Sequence, residues 1–128
     1  MIVSNKFVAG KAMEIVMDCL FCKIANGEIP SNKVYEDDKI LAFRDIAPQA
    51  DVHVLVIPKD HVASSANDIT AENSEIVGYI FAKIPEIAKL AGVDSYRIIN
   101  NCGDKAGQTV KHIHFHVLSG ENLTERLV

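Results

Sequence analysis

His112, His114 and His116 stand at alternate positions, interleaved with the apolar residues Ile113, Phe115 and Val117. On an extended strand this spacing puts all three imidazoles on one face and the apolar side chains on the other. The chain has five histidines in all, so chance use of His as polar filler is a poor account of three together. A single ion held by all three is opposed by geometry. At a rise of ~3.3 Å per residue His112 and His116 lie about 13 Å apart, whereas zinc–nitrogen bonds are near ~2.1 Å. A division of labour fits better, with different imidazoles serving different partners. Just upstream, Gly103-Asp104-Lys105-Ala106-Gly107-Gln108-Thr109 is neither a Walker A loop nor a G-x-G-x-x-G fingerprint. Its backbone N–H groups and the Thr109 hydroxyl could still hold phosphate oxygens, although a plain hairpin loop explains the segment alone equally well. Beside three histidines the balance tips towards an anion site.

A Cys-x-x-Cys pair, Cys19 and Cys22, is the second chemical feature. A thioredoxin-type redox role is disfavoured, because no βαβ context surrounds the pair and no proline lies between the cysteines. Two thiolates make half of a tetrahedral zinc site and require two further ligands; two small buried thiols are the plainer alternative. Cys102 reads as a small loop residue, and His61 as a surface or packing histidine.

The elements that position these groups follow from periodicity. Asp18 can cap a short helix whose Leu20, Phe21, Ile24 and Ala25 share a face, with Gly27 to end it. Strands are expected over 33–36 and 40–43 about an Asp37-Asp38 turn. Another is expected over 52–57, nearly continuously apolar and therefore central, stopped by Pro58. Thr70 can cap a long helix with Ile76, Val77, Ile80, Phe81, Ile84, Ile87, Ala88 and Ala91 at gaps of three and four, closed by Gly92. Pro85 inside it costs a hydrogen bond. Strands over 96–101 and 110–119 complete a mainly antiparallel α+β domain. Residues 1–17 read as an N-terminal tail of uncertain origin, and 18–128 as the domain.

Composition removes other classes. The 128 residues suit one domain; no run of about eighteen apolar residues is present, so no membrane span and no membrane partner is expected. A net charge of −4 without a Lys/Arg block argues against a nucleic-acid partner. Three cysteines are too few, and odd in number, for a stapled secreted scaffold, which favours a reducing, cytoplasmic setting.

The run Gly107-Gln108-Thr109-Val110-Lys111-His112-Ile113-His114-Phe115-His116-Val117-Leu118 resembles the signature of the histidine-triad (HIT) superfamily. The likeness extends upstream through Phe21, Gly27-Glu28-Ile29-Pro30, Tyr35-Glu36-Asp37-Asp38, Leu41-Ala42-Phe43, Asp45-Ile46-Ala47-Pro48-Gln49 and His53-Val54-Leu55-Val56-Ile57-Pro58-Lys59. The resemblance implies a HIT-like α+β fold: a five-stranded antiparallel sheet with one short and one long helix, dimerising into a ten-stranded sheet. It also implies hydrolysis or transfer at a nucleotide α-phosphate. Val117-Leu118-Ser119-Gly120 is similar to the Hint-like branch, which hydrolyses purine nucleoside phosphoramidates, and lacks the Pro-Arg of the Fhit branch. Glu121 to Val128 departs from the Trp-Pro-Pro ending of many Hint proteins, and Thr109 stands where Ser is more usual.

By the same resemblance, His114 is the nucleophile, His116 a donor to phosphate, and Thr109 a contact to phosphate or the departing nitrogen. Asp45 corresponds to the ribose-binding carboxylate, and Asn101 to an asparagine beside the nucleotide. Leu20, Phe21, Ile24, Phe43 and Ile46 match the walls of a purine pocket, with Gly107 and Gln108 in the phosphate loop. HIT proteins bearing Cys-x-x-Cys imply structural zinc on Cys19, Cys22, His53 and His112, with no cofactor needed for the chemistry. The leading function is therefore hydrolysis of AMP phosphoramidates or aminoacyl-adenylates through a covalent nucleotidyl-histidine in a cytoplasmic homodimer. The alternatives are a dinucleoside polyphosphate hydrolase or nucleotidyl transferase, and a nucleotide-binding module without catalysis.

Overall fold

The structure is a computed structural model describing residues 19–127. In chain order its elements are α1 (Leu20–Ala25), β1 (Lys33–Glu36), β2 (Ile40–Arg44), β3 (Val52–Pro58), α2 (Glu75–Leu90), β4 (Arg97–Ile99) and β5 (Phe115–Ser119). Single 3-10 turns cover Ala66–Asp68 and Asp104–Ala106. The strands form one five-stranded sheet in the order β1-β2-β3-β5-β4, every neighbouring pair antiparallel. The apolar β3 is its centre and is buried along all but its first residue. Residues 1–17 and the expected cap Asp18 lie outside the described residues.

Side-chain alternation divides the core into two layers. Ile40 and Ala42 of β2, Val54 and Val56 of β3, and Phe115 and Val117 of β5 face α2, where they meet Ile80, Ile84 and Ile87. Their neighbours Leu41, Phe43, Leu55 and Ile57 point the other way and pack with Cys19, Phe21, Cys22 and Ile24 around α1. Asp37 fastens α2 to the β1–β2 hairpin. Its Oδ2 accepts from the hydroxyls of Tyr35 at 2.9 Å and Tyr79 at 2.5 Å, and its Oδ1 accepts from the amides of Lys39 and Ile40. Burial pushes this carboxyl up, but the Tyr79 hydroxyl, the two amides and Tyr35 outweigh it and hold the group below the usual carboxylate range.

Several boundaries differ from the sequence expectations, β2 and β3 each by one residue, to Arg44 and Pro58. Cys19 caps α1, its Sγ accepting the Cys22 amide at 3.3 Å. The long helix begins at Glu75 after Ser74, because Thr70 and Asn73 close a turn on themselves instead. Strand β4 is only Arg97–Ile99. Most important, β5 begins at Phe115, so residues 110–114 are irregular rather than strand. The inside–outside alternation nevertheless continues through them: Ile113 joins the layer under α2, while the His112 and His114 rings contact Phe21 on the opposite side. Pro85 is accommodated on the exposed side of α2.

Candidate active site

On the α1 side of the sheet is a cleft of about 300 Å³. Leu20, Phe21 and Ile24 of α1 and Phe43, Asp45 and Ile46 at the end of β2 line it together with Thr109, His114 and His116. The five apolar residues that the resemblance assigns to a purine pocket are thus brought together with Asp45 and two of the three triad histidines. Leu20 and Ile46 form an exposed rim, 44% and 101% accessible, rather than buried wall. Sequence reasoning omits Ile29, Pro30, Ser31, Arg44, Leu55 and Val110, which also line the cleft. Asn101, Gly107 and Gln108 are not among its lining. Gln108 is buried, and its side chain accepts from the Gly103 amide and donates to the carbonyls of Ser64 and Val110, so it braces the loop. Gly107 closes the 3-10 turn at φ 85°, a left-handed conformation that disfavours any other side chain. Asn101 is half-buried at the start of the loop. The asparagine that reaches the triad is its neighbour Asn100, whose Nδ2 donates to the His114 carbonyl at 2.8 Å.

The hydrogen bonds set each histidine's tautomer. His114 Nδ1 lies 2.7 Å from the His112 carbonyl, an acceptor only, so Nδ1 carries the proton and Nε2 keeps a free lone pair. Burial, with the neighbouring His112, pushes its pKa down against the opposing backbone bond and Asp45. Phe21 packs edge-on against this ring at 5.0 Å and shields it from water.

His53 stands elsewhere than the family resemblance places it. Its Nδ1 accepts the Gln49 amide at 3.0 Å, which leaves the proton on Nε2, and that Nε2 lies 2.8 Å from His116 Nδ1. His116 in turn carries its proton on Nε2. Asp45 Oδ2 sits 3.5 Å from His53 Nε2, while Asp45 Oδ1 accepts the Ala47 amide. Burial lowers the His53 pKa, and burial with the neighbouring His114 and His53 pushes His116 down to about 4. His53 is thus grouped with Asp45 and His116 and not with the cysteines.

The fourth member of the cysteine group is His61, to which the sequence assigns no role. Ligand atoms of Cys19, Cys22, His61 and His112 all lie within 4.8 Å of one another. His112 Nδ1 is 3.3 Å from Cys19 Sγ and 3.5 Å from Cys22 Sγ, and His61 Nδ1 is 3.3 Å from Cys22 Sγ. Tetrahedral bonds of zinc to sulfur and nitrogen imply S···N separations of about 3.6 Å, close to these values. His112 Nε2 donates to the Pro58 carbonyl at 2.8 Å, which fixes the tautomer whose Nδ1 faces the sulfurs. Hydrogen bonds led by the Cys22 thiol, with His112 and His61 contributing, lower the Cys19 pKa despite burial. The second ionisation, at Cys22, is pushed up by its bond to Cys19 and by burial. The donor set fits a thiophilic divalent cation. Local spacing could not have found His61, which stands in an irregular loop three residues beyond β3.

Fold and site define an enzyme of the histidine-triad hydrolase type. Residues 26–123 match the HIT domain model, and the chain belongs to that family. It is 43% identical over 108 residues to the purine nucleoside phosphoramidase of Escherichia coli K12, covering 83% of this chain and 90% of that protein. A histidine triad protein from Clostridium difficile superposes with a TM-score of 0.81 at 54% identity, covering 86% and 96% of the two chains. A HIT family hydrolase from Legionella pneumophila Philadelphia 1 gives a TM-score of 0.79 at 46% identity, covering 84% and 97%.

Proposed function

We propose that this hydrolase cleaves purine nucleoside phosphoramidates of the AMP-amine type, or aminoacyl-adenylates, through a nucleotide bound covalently to His114. The observation that carries the reading is the His114 tautomer: Nδ1–H is committed to the His112 carbonyl at 2.7 Å, and the free Nε2 belongs to a ring lining the cleft. In the first step the Nε2 lone pair forms a bond to the α-phosphorus as the bond to the leaving group breaks: the P–N bond of an AMP-amine, whose nitrogen takes a proton from solvent at the cleft mouth, or the P–O bond of an aminoacyl-adenylate, whose carboxylate leaves without one. The charge that develops on the imidazole is stabilised by the His112 carbonyl. His116 donates from Nε2 to a phosphate oxygen, oriented by the His53 Nε2–H behind it. Thr109 offers its hydroxyl to phosphate or the departing nitrogen, and Asp45 binds the ribose hydroxyls. Water then attacks phosphorus and gives up a proton to solvent at the cleft mouth, the bond to Nε2 breaks with its electron pair returning to the ring, and AMP leaves. The 43% identity to a protein named for this activity supports the substrate class. A metal ion on Cys19, Cys22, His61 and His112 would clip α1 to the loop after β3, and the reaction steps use other residues. The family pattern supports a homodimer, and the few, odd-numbered cysteines support a cytoplasmic setting; no helix among the described residues is long and apolar enough to cross a membrane.

The test is incubation with an AMP phosphoramidate and with a diadenosine polyphosphate, alongside rapid-quench mass spectrometry. Wild-type protein should release AMP from the former and show an acid-sensitive AMP adduct. His114→Ala should retain AMP binding, show no adduct, and lose at least about 10³-fold in turnover. Near wild-type turnover by that variant would mean direct attack by water, and preference for the polyphosphate would replace the substrate class.

A further inference from the structure

Segment 108–114 carries Thr109 and His114, yet it lies outside the sheet: the β3–β5 ladder ends at the pair Val56–Phe115. A segment without ladder hydrogen bonds needs other restraints if a nucleophile is to be held in attacking geometry. Asn100 supplies one, through the His114 carbonyl, and the others converge on the end of β3 and the stretch after it. The Ile113 amide donates to the Ala63 carbonyl at 2.9 Å, and Gln108 Nε2 donates to the Ser64 carbonyl at 2.6 Å. His112 Nε2 donates to the Pro58 carbonyl at 2.8 Å, while its Nδ1 faces the two sulfurs. His61, from the same stretch, completes the four-residue group. The main-chain carbonyl of His112 is also the acceptor of His114 Nδ1–H. One residue therefore joins the cysteine group to the atom that sets the nucleophile's tautomer. Phe21 packs edge-on against both rings, His112 at 6.0 Å and His114 at 5.0 Å, which gives the two groups a shared wall.

We propose that Cys19, Cys22, His61 and His112 form a positioning centre for His114. When they hold a thiophilic divalent cation, the His112 carbonyl is fixed and His114 is confined to the tautomer with a free Nε2. The inference rests on the proposed nucleophilic role of His114, but the tautomer it concerns can be read without any turnover. His112 acts here through His114 and is a positioning residue. Its influence is on the rate step and not on nucleotide affinity, because none of the four residues lines the cleft.

The experiment uses the full chain, ¹⁵N-labelled at histidine, loaded with Zn²⁺ or Cd²⁺ alone or stripped by a chelator. In the Zn²⁺ form the His114 ring should show a single Nδ1–H tautomer. Stripped protein that keeps its sheet amide pattern should show mixed tautomers, with kcat on an AMP phosphoramidate lower by about tenfold or more and AMP affinity within about twofold. An unchanged His114 spectrum in that stripped, folded protein overturns the proposal, as does failure to take up either metal. If stripping unfolds the chain, the Cd²⁺ form decides, because its longer metal–ligand bonds shift the centre while keeping it closed. A displaced His114 Nδ1–H resonance and an altered kcat relative to Zn²⁺ support the proposal; identical resonances and rates overturn it. If no form hydrolyses phosphoramidate, the spectra still decide this proposal, and the failure counts against the proposed activity alone.

Discussion

His53 illustrates how one imidazole's role is set by what its other nitrogen meets. The Gln49 amide occupies Nδ1, so Nε2 must donate, and the ring it reaches is His116. Replacing His53 with Ala should leave AMP affinity within about twofold and lower kcat by about 10–100-fold, because His116 loses the partner that aims it. Equal losses in kcat and affinity would make His53 a packing residue. His116 also predicts a pH dependence. Its folded pKa, pushed down to about 4 by burial and its imidazole neighbours, lies below the ordinary 6.5, so the unfolded chain takes up this proton first. Its contribution to stability is complete above about pH 6.5, declines between about 6.5 and 4, and changes no further below. Urea midpoints measured across that range should fall more for wild type than for His116→Gln; parallel curves would remove His116 from the account. The histidine strand is legible in the sequence: alternation puts His112, His114 and His116 on one face, and the family motif singles out His114 among them. The exchange of His53 for His61 is not. It depends on the β3–β5 register, which sets Leu55 opposite His116 and so puts His53 diagonally beside it, and on the course of the loop after Pro58.

At the scale of elements, strand alternation keeps chemistry and bulk stability on opposite faces of one sheet. Ile84 is 1% exposed in the layer between β-sheet and α2, where no residue touches the cleft. Ile84→Ala should cost about 2–5 kcal/mol of unfolding free energy. Below its melting transition the variant should keep wild-type kcat; a comparable loss of rate would show that the two faces are coupled. The strong periodic signals, the apolar 52–57 run and the three-and-four spacing of Ile80, Ile84 and Ile87, identify their elements from sequence. Weak signals fail at ends. Thr70 reads as a helix cap, but Asn73 supplies a competing local partner. The alternation of 112–117 reads as strand throughout, although only Phe115 onward finds ladder partners, because pairing depends on a neighbour that local sequence does not contain.

Assembly and the Cys19, Cys22, His61 and His112 group act at the scale of the whole molecule. Phe81 and Leu90 of α2 are 47% and 56% exposed, and β4 is a three-residue sheet edge. An unpaired sheet edge suits a second copy of the chain. Light scattering on the size-exclusion peak should give twice the 14.0 kDa chain mass, and a clean monomer would remove the ten-stranded sheet from the account. Chelation should lower the thermal midpoint, since α1 is tied to the loop after β3 through the Cys19, Cys22, His61 and His112 side chains. Re-addition of Zn²⁺ should restore it; a midpoint indifferent to both treatments would leave the cysteines as packing thiols.

The Gln49 amide at the far end of the imidazole pair has one more consequence. A peptide N–H cannot surrender its proton at any pH the fold survives, so the line from His116 through His53 is a cul-de-sac. Protons cannot be drained through the interior; whatever enters or leaves during a catalytic cycle must use the cleft mouth. The pair behaves as a spring-loaded pointer and not as a conduit. Exchange of the His53 ring proton with solvent should therefore slow sharply when AMP fills the cleft, at an unchanged rate of global unfolding.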